Sequence, residues 1–302
     1  MPFRPGLARL ASKSASSTRW LARQSKDPLV KQRASNPSSY RSRSAFKLIE
    51  LDRTYKFLKH DDIRAVVDLG AAPGGWCQVV AERMGWTVGD VKMSEAEDAA
   101  MRGGFGLKPD AKVAKYGSWS SDNNSDPLDE LGLNGDEALE EDTAVTGQKG
   151  RGTIIAVDLL DVYPIPGVKT LKMDFLSPQT TEYIRALLPA SVDGKVDVIL
   201  SDMAANFTGN RVRDIEASLD ICNAVFQFAQ KHLRASASIG RTRGGVLVLK
   251  HFAHPLSMAF RKDVLEANFH DVQYRKPDSS RGESSEGYWV CMGWKPQSSA
   301  GT

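Results

Sequence analysis

Cysteine is scarce in this chain of 302 residues: Cys77, Cys222 and Cys291 lie far apart and form no C-x-x-C pair. Their spacing offers neither a disulfide framework nor a set of zinc ligands, so no metal site is expected and the thiols should be reduced, buried and packed as small apolar groups. Long apolar runs are missing too. None approaches the roughly 18 to 20 residues that a membrane-spanning helix needs, and a soluble chain with no membrane partner is expected. Acid is absent from the first 26 residues, where Arg4, Arg9, Lys13, Arg19, Arg23 and Lys26 stand among serine, alanine and leucine. That composition favours a mitochondrial presequence, and hence a matrix location, over the alternative of a basic arm that holds RNA.

What is present is unevenly spread. The net charge is only +3, yet residues 1–46 carry ten Lys or Arg against the single acid Asp27, and residues 87–150 carry six basic residues against fourteen acidic ones. The acidic stretch repels nucleic acid, whereas the basic start attracts it. After the presequence-like residues 1–26, a basic arm runs over 27–43. Its Arg41 and Arg43, flanking Tyr40, are placed to hold a phosphate backbone. A folded domain follows over 44–296, opening with a helix through Phe46–Leu51, and a short tail over 297–302 ends the chain. Residues 87–150 are rich in Gly, Ser, Asp, Asn and Glu without sustained periodicity, which predicts a long insertion with no core of its own.

From Ala65 onward, short β-branched runs alternate with longer helical patterns, as in a parallel sheet covered on both faces. Strands are expected at Ala65–Leu69, Ile154–Leu159, Val168–Met173, Val196–Ser201, Val246–Lys250, Val272–Arg275 and Tyr288–Trp294. Ile215, Leu219, Cys222, Phe226, Ala229 and Leu233 recur at helical spacing. Further helices fit Cys77–Met84, Thr180–Leu188 and Met258–Asn268. The fold class is α/β: a Rossmann-like, doubly wound, mostly parallel seven-stranded sheet.

The first strand runs into Gly70-Ala71-Ala72-Pro73-Gly74-Gly75-Trp76 and then a helix, the arrangement that brings a nucleotide-like ligand to the carboxyl edge of a parallel sheet. A glycine-rich turn is weak evidence alone, since a tight connection also explains it. Its details point to S-adenosylmethionine. The spacing is neither G-x-G-x-x-G nor a P-loop, and Pro73 has no N–H for a phosphate, a loss that harms a dinucleotide and not a phosphate-free cofactor. Asp158, closing the next strand, is the carboxylate for the ribose hydroxyls. Asp174, after the third strand, either reaches the adenine amine or is a solvated strand-end acid. Trp76 either stacks on the cofactor or packs the helix start.

Four charged residues, Lys47, Asp202, Lys250 and Glu286, fall at strand or helix ends that the carboxyl edge would gather. Lys250 stands out because it ends the apolar run Val246–Leu249. Here the chain resembles a known family: Ser44-Ala45-Phe46-Lys47-Leu48, Asp68 to Trp76, Ser201-Asp202-Met203-Ala204, Val248-Leu249-Lys250 and Lys276-Pro277-Asp278 through Glu286-Gly287-Tyr288 look like the FtsJ/RrmJ ribose methyltransferases. The resemblance covers nearly everything from Arg41 to Trp294. It implies a class I methyltransferase fold, methylation of an RNA 2′-hydroxyl, and a catalytic tetrad of Lys47, Asp202, Lys250 and Glu286, with Asp202 also touching the cofactor. A ribose hydroxyl is a poor nucleophile and the sulfonium methyl a strong electrophile, so the site must align the atoms and remove a proton. Lys250 is the base in this reading. Burial and a neighbouring ammonium favour the neutral amine it needs, and carboxylates oppose it.

Two departures from the family pattern stand out: Ala205 replaces the proline usual after Ser-Asp-Met-Ala, and the acidic insertion is extra. Glu283 lies near Glu286, and spacing from Lys276-Pro277-Asp278 favours Glu286 as the tetrad acid. Ser280–Glu286 and the presequence-like start resemble the mitochondrial branch acting on a uridine ribose of large-subunit rRNA, free or in a ribosomal precursor. The alternatives are a tRNA anticodon-loop ribose, or an rRNA-binding assembly factor whose methylation is dispensable.

Overall fold

The computed structural model describes residues 40–86, 150–205 and 208–296. The presequence-like segment, most of the basic arm, residues 87–149 of the acidic stretch and the tail lie outside the described residues.

Among the described residues seven strands form one sheet: β1 (Ala65–Leu69), β2 (Thr153–Asp158), β3 (Val168–Lys172), β4 (Val198–Ser201), β5 (Val246–Phe252), β6 (Phe269–Arg275) and β7 (Glu286–Trp294). Their order is β3-β2-β1-β4-β5-β7-β6. β7 alone runs against its neighbours β5 and β6. The strand order reverses at β1, with β2 on one side and β4 on the other, so a crevice opens beyond Leu69 and Ser201. Among the described residues no helix is long and apolar enough to cross a membrane.

Side-chain alternation divides the sheet into two cores. Val66, Ile154, Leu200, Val248, Tyr288 and Val290 face α1 (Ser44–Tyr55) and α2 (Gly75–Arg83). Val67, Ile155, Ile199, Leu249, Trp289 and Cys291 face the opposite layer, which holds α3 (Pro178–Leu187), α4 (Arg211–His232) and α5 (Pro255–Phe260). Each fully buried side chain of this size contributes about 1.5 to 3 kcal/mol. Asp68, Asp202, Lys250 and Glu286 all sit at even-numbered positions, in step with Val66, Leu200, Val248 and Tyr288. Sheet geometry therefore directs all four toward α1.

Several elements differ from the sequence expectation, for physical reasons. β5 continues two residues past Lys250 because His251 pairs with Gly287 and Phe252 with Glu286; polar residues in a ladder do not register in a search for apolar runs. β4 begins at Val198 instead of Val196, since the Asp197 carboxylate accepts from the Arg64 and Ala65 amides and pairs with Arg234. The helix expected from Met258 starts at Pro255, preorganised as a first helical residue and capped by His254 and Ser257. It then passes through a π-helical stretch, Arg261–Leu265. α4 has its own start signal: the Asn210 side chain accepts from the Val212 and Arg213 amides.

The ends of the acidic stretch meet at the amino edge of the sheet. The Arg151 amide donates to Met84 O at 2.8 Å, and the Trp86 indole donates to Arg151 O at 3.1 Å.

Candidate active site

α1 supplies the first catalytic candidate because it is buried on one face by Phe46, Leu48 and Leu51, which carries Lys47 inward with them. Its Nζ lies 2.7 Å from Glu286 Oε1, and Glu286 Oε2 is 3.6 Å from Lys250 Nζ. Lys250 Nζ is in turn 3.2 Å from Asp202 Oδ1 and donates to the Asp202 carbonyl at 3.4 Å. Two ammonium groups and two carboxylates thus alternate in one chain, Lys47–Glu286–Lys250–Asp202. Their side chains are 9, 11, 11 and 19 % exposed in that order, so Asp202 stands nearest solvent.

The Tyr288 hydroxyl donates to Asp202 Oδ1 at 2.5 Å. Burial, then the Asp202 charge and hydrogen bond, hold this phenol protonated far above its ordinary pKa. Burial pushes the Glu286 carboxyl up, but the charges of Lys47 and Lys250 and the hydrogen bond from Lys47 outweigh it and leave the pKa below the usual range. Glu286 is therefore a fixed anion. Glu283 is exposed and Glu286 buried.

A second set of contacts holds the loop that delivers Glu286. Glu50 accepts from the Asp278 amide at 2.6 Å and from the Ser279 amide at 3.0 Å. Arg43 donates to Ser279 O at 2.6 Å. Lys276 donates to Gly282 O and Ser284 O at 3.1 and 2.7 Å. Arg43, Lys47 and Glu50 are spaced by four and three residues, so one helix face makes all the α1 contacts. That spacing is a signal the sequence contains, yet Glu50, Lys276 and Tyr288 were not among the expected site residues.

Gly70 and Gly74 both occupy positive φ, 70° and 104°, where a side chain is strained. A Cβ on Gly70 would come within 2.1 Å of Met203 Cγ. Gly75 opens α2 against Ser42. Asp158, half exposed, accepts from the Ala72 amide through Oδ2 and from the Leu160 amide through Oδ1, each at 2.8 Å. It therefore props the glycine turn as well as facing the crevice. Beneath the turn, Asp68 is 1 % exposed and accepts from the Cys77 thiol at 3.1 Å. Burial raises its pKa to about 7; the thiol bond opposes the rise, and the charges of Asp202 and Asp158 add to it. Sequence reasoning missed this acid as a tuned group.

Three expectations take different form. Arg41 and Arg43 do not present themselves to a phosphate backbone: the Arg41 guanidinium donates to Pro73 O, Tyr163 O and Pro164 O, strapping the arm to the glycine turn. Burial lowers its pKa to about 10. The Trp76 ring is 2 % exposed, donates to Ser44 O at 2.8 Å and packs on Tyr288, which is the helix-packing alternative and leaves no face for stacking on a cofactor. Asp174 is exposed and accepts from the Leu176 amide at 2.9 Å, the arrangement of a strand-end acid that caps its own turn. Gly70, Pro73, Gly74, Gly75, Asp158 and Asp202 remain together at the carboxyl edge.

A Rossmann-like sheet with β7 inserted antiparallel, a glycine turn after β1 and an amine–carboxylate chain at its carboxyl edge define the class of α/β methyltransferases. Comparison narrows the class. The model of the FtsJ-like methyltransferases matches residues 40–101 and 143–294, and the chain belongs to that family. The ribosomal RNA large subunit methyltransferase E of Afipia carboxidovorans is 32 % identical over 280 residues, covering 93 % of this chain and 90 % of that protein. Its namesake from Rhodopseudomonas palustris strain BisB5 is 33 % identical over 295 residues, covering 96 % and 92 %. A solved structure, described as that of a candidate ribosomal RNA methyltransferase from Plasmodium falciparum, aligns with TM-score 0.53 at 22 % identity, covering 84 % of this chain and 98 % of that one. At that identity the agreement is one of fold.

Proposed function

We propose that this protein transfers a methyl group from S-adenosylmethionine to the 2′-hydroxyl of a ribose in large-subunit rRNA, with Lys250 as the base. The observation that carries this reading is the Lys47–Glu286–Lys250–Asp202 chain at the mouth of the crevice. The rRNA substrate is supported by the named relatives. A mitochondrial location is supported by the basic, acid-free residues 1–26, and uridine by the resemblance in Ser280–Glu286.

The residues at the glycine turn fit the cofactor. Asp68, Asp158 and Asp202 surround the end of β1 closely enough for the last two to raise the pKa of the first. This acidic setting suits a sulfonium cation and a ribose, and it rejects a diphosphate; Pro73 adds the lack of a donor. When bound, S-adenosylmethionine supplies an electrophilic methyl carbon. The protein's part is to place the ribose oxygen in line with it and to accept the hydroxyl proton. Asp202, through its carboxylate and carbonyl, and Glu286 aim Lys250, whose ammonium first releases a proton to solvent so that the neutral amine takes the hydroxyl proton as the oxygen–carbon bond forms. Lys47 fixes Glu286, and Tyr288 fixes Asp202.

The test is methyl transfer by the full chain to large-subunit rRNA and to ribosomal precursor particles, followed by alkaline cleavage. One uridine resistant to cleavage is expected, because 2′-O-methylation removes the hydroxyl that the reaction needs. Label recovered on a base, or no label with either substrate, overturns the reading.

A further inference from the structure

On the far side of β5 from the tetrad lies a cavity of about 550 Å³. Its walls include Asp214 and Ser218 of α4, His251 of β5, Ser257 of α5, and Glu283 and Ser285 of the loop before β7. His251 and Ser285 directly adjoin Lys250 and Glu286 in sequence, and Cys222, another wall residue, donates its thiol to Lys250 O at 3.6 Å. The cavity and the reactive centre thus share two strand ends and open on opposite faces of the sheet.

The chemistry of the wall restricts what it can take. His251 is 1 % exposed and stacks on Trp289 at 3.7 Å. The Phe252 backbone lies close enough to favour a proton on its ring, yet among the described residues neither ring nitrogen has a partner in hydrogen-bonding geometry. A buried imidazole left without partners costs free energy unless a ligand supplies them. A neutral imidazole offers one donor and one acceptor. The described lining contains two carboxylates and no lysine or arginine, so a phosphate is repelled. A flat, uncharged ligand bearing N–H donors suits the His251 ring, the serine hydroxyls and the acids.

We propose that this cavity seats the nucleobase of the nucleotide next to the methylated ribose, turned out of the RNA stack. The proposal rests on the RNA reading above. It makes the β5 end a two-sided reader, with the ribose on the Lys250 face and the neighbouring base on the His251 face.

Binding is measured separately from methyl transfer, with the full chain and fragments tiled along large-subunit rRNA. The tightest-binding fragment then receives single abasic substitutions, one at each nucleotide. One abasic position, directly flanking the methylated nucleotide, is expected to weaken binding about tenfold. Ser218→Trp, which fills the cavity from α4, should weaken binding of intact RNA by a similar factor and reduce the abasic penalty to less than twofold, with S-adenosylmethionine affinity unchanged. Ser285→Tyr fills it from the loop and serves where the tryptophan lowers the melting temperature. Methyl transfer without any flanking abasic penalty, or with a penalty that persists in both filled variants, overturns the cavity proposal and leaves the enzymatic reading standing. The expected binding pattern without methyl transfer does the reverse. Absence of RNA binding overturns both.

Discussion

The two faces of the sheet are built from the same strands and carry opposite burdens. Toward α1 and α2, buried ionisable groups gather at the carboxyl edge: Asp68, Lys47, Glu286, with Lys250 and Asp202 beside them. Toward α3, α4 and α5, the corresponding positions are Leu69, Leu249 and Trp289, and the buried polar residues are mainly hydroxyls and the two histidines His232 and His251. Desolvated ion pairs add little net stability, so the first face spends part of its burial on chemistry, and the second face supplies the packing that allows it. Methyl-transfer chemistry and packing stability should therefore separate by face.

The sharpest test of that separation is Lys250→Ala. Loss of a positioned base should lower the rate of methyl transfer about 10³-fold, with the melting temperature little changed, as measured by single-turnover transfer and calorimetry. A large loss of stability would break the comparison. Leu249→Ala, one residue away on the other face, should do the opposite and cost about 3 kcal/mol in chemical denaturation while transfer per folded molecule persists. Glu50→Gln weakens the hold on Asp278 and Ser279 without entering the site. It should slow transfer roughly tenfold with the cofactor affinity unaltered, and the effect should vanish in a Glu286→Gln background, because Glu50 acts through that residue.

The smallest effect is a slope. Burial lowers the pKa of both His232 and His251 from 6.5 to about 4. Between those values the unfolded chain binds more protons than the folded one, so stability is lost as pH falls from 6.5 toward 4. Asp68, raised from 3.8 to about 7, works in the other sense: the folded state holds the extra proton, and its contribution is lost as pH rises through the same window. Asp68→Asn should steepen the acid-side fall in denaturation midpoints, and a shallower fall would count against an Asp68 carboxyl held protonated by burial.

Much of this architecture was legible in the sequence because hydrophobic periodicity reports strands and helices directly. All seven strands fell within a few residues of their observed positions, and Lys47, Asp202, Lys250 and Glu286 converge in space. What escaped was carried by polar residues in secondary structure. His251 and Phe252 extend β5, and Glu286 and Gly287 open β7, because each pairs across the ladder whatever its polarity. Arg41 and Arg43 read as phosphate ligands, since sequence gives their charge and not the carbonyls that surround them. Trp76 kept two readings until the Ser44 carbonyl beside its indole chose packing. The partners of Glu50 lie 228 and 229 residues away, and no local pattern reports a hydrogen bond across that separation.

The meeting of Met84 and Trp86 with Arg151 makes the amino edge a growth point for the family's architecture. Chain added between two ends already hydrogen-bonded to each other adds little to the entropy of closing the loop, a cost that rises only slowly with length. The alignment to the family model is interrupted over residues 102–142, inside this same connection. A lineage can therefore lengthen or trim the protein here without shifting a strand. One residue gained inside β5 would instead turn Lys250 to the wrong side of the sheet. Such growth is tolerated where the backbone closes on itself and forbidden where side chains must alternate.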